Sequence, residues 1–115
     1  MMLVSTHKPT PVILPPALLG AVRRHFAMDD LWLFGSRARG DHRPDSDWDL
    51  FVVVPDDRED LTDPYIGWLA RQEALDAGIE ATIVAATTSD VASSWGLVNT
   101  LCHDLARDGV RIDVR

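Results

Sequence analysis

The chain has 115 residues, 46% of them hydrophobic and 25% charged, the composition of one ordinary globular domain with a core of its own. Eighteen acidic residues against 11 basic ones leave a formal charge of −7, and such a surface repels polyanions, which argues against long nucleic acid as a partner. The single cysteine, Cys102, excludes an internal disulfide and a cysteine-rich zinc site and is expected to be a buried small hydrophobe. Val12, Ile13 and Leu14 form only a brief apolar run between prolines, and no window approaches a membrane span. The expectation is a soluble cytoplasmic protein, with residues 1–14 an extended lead-in and residues 15–115 a single domain.

After Pro15 and Pro16, which suit a helix's first turn, Leu18, Leu19, Val22 and Phe26 recur at helical spacing. Residues 31–34 are a short apolar run ended by Gly35. Residues 48–54 are a second, richer in β-branched side chains and stopped by Pro55, and both read as buried strands. Asp63 followed by Pro64 is a helix-start signal, with Tyr65, Trp68, Leu69 and Leu75 as the expected apolar face and Gly78 closing the segment. Residues 79–86 read as a third strand. Leu97, Leu101 and Leu105 with Val98, Cys102 and Ala106 mark a last helix ended by Gly109, and residues 110–114 suit a final edge strand. The order predicts an α+β (α/β) domain, a small mixed sheet flanked by helices.

The residues that carry chemistry lie between the first two strands. Gly35-Ser36-Arg37-Ala38-Arg39-Gly40 is followed by a polar loop and then by Asp45-Ser46-Asp47-Trp48-Asp49. A glycine and a serine at the end of a strand, before a helical turn, let backbone N–H groups approach a phosphate closely, and Arg37 and Arg39 add cationic charge. Asp47 and Asp49 are two apart at the start of a strand, so both carboxylates face one side, where hard oxygen ligands hold magnesium. Trp48 between them points into packing on the other side. With 15 aspartates in the chain, an Asp-x-Asp pair alone is a weak signal. Asp45, Asp47 and Asp49 also match the opening of a calcium-binding loop, but that loop needs a glycine where Leu50 stands. The joint occurrence on a strand-turn-strand frame is what raises the signal.

Gly35-Ser36, ten intervening residues and Asp47-Trp48-Asp49, with Gly40 and Ser46 in place, resemble the signature of the DNA polymerase beta-like nucleotidyltransferase superfamily, and most of all its minimal prokaryotic members. The resemblance is tight over residues 31–54 and looser to Gly109. It implies transfer of a nucleoside monophosphate, AMP by the family's habit, from a nucleoside triphosphate such as ATP to an acceptor hydroxyl, with two Mg2+ ions in the active complex. Asp47 and Asp49 would be metal ligands, Gly35 and Ser36 the triphosphate cradle with Ser46 beside it, and Arg37 and Arg39 auxiliary charge.

Minimal members of the family commonly work beside a HEPN-domain protein, some as antitoxins that modify it, so the resemblance implies a protein partner or a homo-oligomer. Exposed aromatics near Trp68 or Trp95 are the expected contact surface. Two other readings stand beside this one: a catalytically weak nucleotide- or partner-binding module, and transfer to a small molecule such as an aminoglycoside, which the lack of room for a second domain disfavours. The family's third carboxylate sits on the later strand. Here the matching position is Thr82, and Glu80, two residues earlier on the same strand face, is the candidate to replace it.

Overall fold

The structure, a computed structural model, describes residues 12–97 and 100–114. Its sheet is built from β1 (Asp30–Phe34), β2 (Trp48–Val54), β3 (Ala81–Thr87) and β4 (Val110–Ile112) in the order β3-β2-β1-β4. β1 runs antiparallel to both β2 and β4, whereas β2 and β3 are parallel. A parallel pair needs a long crossover. It is supplied by a 3-10 segment, Asp56–Thr62, and the helix α3, which spans Pro64–Asp76; the remaining helices are α1 (Pro16–His25), α2 (Ser36–Arg39), α4 (Thr88–Ser94) and α5 (Leu101–Asp108).

Strand alternation sorts the core into two layers. Leu31, Leu33, Leu50, Val52, Val54, Ala81, Ile83 and Ile112 face α1 and α3 in one apolar cluster with Leu18, Val22, Ala70 and Ala74. Phe51 and Val53 face the other way, with Trp32, Phe34, Val84 and Ala86, under Val91 of α4 and Leu101, Cys102 and Leu105 of α5. β2 is thus covered on both faces, which accounts for its unbroken apolar run from Leu50 to Val54. Each fully buried leucine of this core, such as Leu33 or Leu50, contributes about 1.5–3 kcal/mol relative to exposure. Leu14 is buried in the first cluster, so the end of the lead-in is anchored there. Residues 1–11 of that lead-in lie outside the described residues.

α3 starts as its sequence dictates: the Asp63 carboxylate accepts the Tyr65 N–H at 2.9 Å, and Pro64 follows at the first helical position. Its buried face is different from the one expected. Gly67, Ala70 and Ala74 are buried, while Tyr65, Trp68 and Leu75 are 58%, 48% and 43% exposed. At Gly67 the reason is close approach: a Cβ there would lie 2.6 Å from the backbone oxygen of Ile83, so no side chain fits between α3 and β3 at that point. The third strand begins at Ala81, leaving Glu80 ahead of it. Between β3 and the last helix stands α4, which the pattern of apolar residues did not predict, although Thr87 and Asp90 form the spacing of a helix cap and Thr87 Oγ1 accepts the Asp90 N–H. The last helix accordingly starts at Leu101, capped by Thr100, and Val98 lies outside the described residues. No helix among the described residues is long and apolar enough to cross a membrane.

Candidate active site

β1 ends at Phe34, and the chain must turn at once into α2. Gly35 makes that turn at φ 73° and ψ −157°, a conformation open in practice only to glycine. Its carbonyl accepts the N–H groups of Ala38 and Arg39, both at 3.1 Å, and the first N–H groups of such a turn have no partner within it. Gly35 is needed for a second reason. A Cβ there would overlap a carboxylate oxygen of Asp49 and sit 3.1 Å from its Cγ, so the turn is pressed against that side chain.

Asp49 lies opposite Phe34 on β1 and opposite Thr82 on β3. Its carboxyl pKa is held above the ordinary value, chiefly by partial burial and next by the charge of Asp47, while Arg39 and a hydrogen bond from Thr82 pull it down. Strand alternation puts Asp49, with Thr82 opposite it, at the end of the face that carries Phe51 and Val53, and the charges of Asp47 and Arg39 act on its carboxyl. Arg39 also pairs with Asp41 at 3.1 Å and is exposed.

Arg37 is engaged elsewhere. Its Nε donates to the Ser46 carbonyl at 3.0 Å, its Nη2 donates to the Pro44 carbonyl at 3.1 Å, and its guanidinium lies 4.2 Å above the Trp48 ring. Trp48 packs against the first core cluster, on the side of β2 away from the two carboxylates. Arg37 therefore braces the loop that delivers Asp47 and Asp49. Ser46 belongs to the same loop, its hydroxyl accepting the Arg43 N–H at 2.9 Å and its own N–H donating to the Arg43 carbonyl at 3.0 Å. Ser36 opens α2 directly after Gly35.

Glu80 is exposed, one residue before the Trp48–Ala81 pair, and its backbone carbonyl accepts the Trp48 N–H at 3.0 Å. It does not complete a three-carboxylate cluster: among the described residues no group of three or more His, Cys, Asp or Glu side chains is placed to hold a metal. The position facing Asp49 belongs to Thr82. Two hard carboxylates on an open sheet end, repelling each other, fit a divalent cation that arrives with a phosphate supplying further oxygens. Neither of two clefts elsewhere, about 460 Å3 at Asp29, Asp30, Arg111 and Asp113 and about 260 Å3 at Asp63, Gly67 and Ile83, is lined by these residues.

Residues 16–92 match the family model of the nucleotidyltransferase domain. No curated protein matches the chain by sequence. Among solved structures, a chain in the crystal structure of a toxin-antitoxin with AMP-PNP shares this fold, with a TM-score of 0.59 and 21% identity over 83% of the present chain and 68% of the other. The family match covers well over half of the chain and contains the Gly35 turn, the Asp47–Asp49 pair and Thr82, so this chain belongs to the nucleotidyltransferase domain family and is a nucleotidyltransferase.

Proposed function

We propose that this protein transfers AMP from magnesium-bound ATP to a hydroxyl group on a partner protein, as the antitoxin half of a cytoplasmic toxin-antitoxin pair whose toxin is a HEPN-domain protein. The observation that carries the transfer is the Gly35 turn pressed against Asp49, with the charge of Asp47 acting on it, because a glycine turn opening a helix beside paired carboxylates suits a metal-bound triphosphate. The pairing with a toxin is supported by the fold shared with a chain from a toxin-antitoxin structure containing AMP-PNP.

Asp47 and Asp49 would hold the cations, which would neutralise phosphate charge and favour in-line displacement. Gly35 and Ser36 cradle the triphosphate through their N–H groups, and Arg39 adds positive charge at its rim. Arg37 and Ser46 keep the loop, and so both aspartates, in register. The acceptor oxygen forms a bond to the α-phosphorus as the bond to pyrophosphate breaks, and the acceptor's proton must leave. A threonine hydroxyl at position 82 is no base at neutral pH. The proton goes to Glu80 or to a carboxylate brought by the partner, and without one of these the domain binds nucleotide but transfers slowly.

Thr82 is also the observation that favours a second reading, a nucleotide-binding module that acts on its partner without transfer. Incubation of the protein with magnesium, α-labelled ATP and the protein encoded beside it separates the two. Label on the partner, lost in Asp47→Asn, supports transfer. Tight magnesium-ATP binding with label on neither protein supports the module, and absence of nucleotide binding refutes both.

A further inference from the structure

The face of the sheet that bears Asp49 continues as a strip of aromatic rings. Phe34 lies opposite Asp49, and two residues further along, roughly 7 Å away, Trp32 lies opposite Phe51. The ring of Trp95, just after α4, sits 5.2 Å from that of Trp32, tilted by 52°. Phe51 is buried, whereas Trp95 keeps 41% of its surface exposed. An indole packed against Trp32 yet 41% exposed offers a stacking surface. Trp32 is thus one strand step from the residue opposite Asp49, and Trp95 packs against it, so these rings continue from the carboxylates along the same face of the sheet. The second exposed pair of rings, Tyr65 and Trp68, 5.7 Å apart, is on α3, across the sheet from the carboxylates, and has no such relation to them.

We infer that Trp95 is the nucleobase subsite, stacking the purine of the nucleotide whose triphosphate is held at Gly35, Asp47 and Asp49. The inference rests on the triphosphate reading of that site and adds the group that distinguishes a nucleotide from bare polyphosphate. Stacking on an indole is tolerant of base identity, so it favours large purines over pyrimidines by stacking area and does not by itself separate adenine from guanine.

Calorimetric titration with two probes, magnesium-ATP and magnesium-tripolyphosphate, tests it in wild type, Trp95→Ala, Trp95→Phe and Trp68→Ala. Trp95→Ala should weaken magnesium-ATP binding by roughly 5- to 150-fold and leave tripolyphosphate affinity unchanged, with Trp95→Phe restoring most of the loss and Trp68→Ala behaving as wild type. Unchanged ATP affinity in Trp95→Ala overturns the inference, and so does an equal loss for both probes, which would make Trp95 a structural residue. If wild type binds neither probe, the triphosphate site itself is misread and the subsite falls with it.

Discussion

The contact between Gly35 and Asp49 can be tested without any ligand. Gly35→Ala forces an alanine into φ 73°, ψ −157°, a region whose backbone cost is about 1–3 kcal/mol. It also drives a Cβ into the Asp49 carboxylate. Relief of that overlap by a shifted side chain or turn adds about 1–2 kcal/mol, and reduced freedom in the unfolded chain returns about 0.5–1 kcal/mol. The net loss is about 1–4.5 kcal/mol, a drop in Tm of roughly 4–18 °C for a domain of this size. In an Asp49→Ala background the carboxylate is gone and the nearest remaining atom is the Cβ of residue 49, at an ordinary 3.4 Å. The same glycine substitution should then cost only its backbone share. Urea denaturation of the four proteins, without nucleotide or magnesium, should give a coupling of about 1–2 kcal/mol. Additivity within about 0.4 kcal/mol would refute the contact, and a cost below about 1 kcal/mol in both backgrounds would refute the strained turn.

Asp47→Asn and Asp49→Asn should each abolish magnesium-ATP binding while raising apo stability by about 0.5–1 kcal/mol, the repulsion of two carboxylates roughly 7 Å apart near a wet surface; calorimetry and thermal melts read the two effects. Because burial and Asp47 raise the folded-state pKa of Asp49 above 3.8, the folded apo protein keeps that proton to higher pH than the unfolded chain. Its contribution to stability is therefore present at low pH and lost as pH rises from 3.8 through the raised value. The difference in stability between wild type and Asp49→Asn should follow that window, and a difference independent of pH would contradict it. Thr82→Asp should raise the transfer rate about 10- to 100-fold with little change in magnesium-ATP affinity, and an unchanged rate would mean that position 82 is not where a base is wanted. Gly67→Ala should destabilise the protein by about 1–2 kcal/mol despite its better helix propensity, since its Cβ meets the Ile83 oxygen; a more stable variant in urea would show that α3 can move off β3.

Much of the site was legible before any folding was considered, because the rules involved are local. Alternation along a strand puts Asp47 and Asp49 on one side and Trp48 on the other, whatever the strand pairs with. Asp63 and Pro64 set the start of α3 through bonds within one turn. What the sequence left open depended on elements that meet only after the chain has folded back. The register of β3 against β2 is fixed by packing across the α3 crossover, and that register places Thr82 against Asp49 and leaves Glu80 ahead of the strand. Large apolar residues suggest one face of α3, but the buried one is that of Gly67, Ala70 and Ala74, where the Ile83 oxygen leaves no room for a side chain at Gly67. Arg37 reads in the sequence as phosphate charge, and only the fold gives it the Pro44 and Ser46 carbonyls and the Trp48 ring as partners. Local spacing names which groups are present and which way they point along one element; only the distances between elements decide which of them meet.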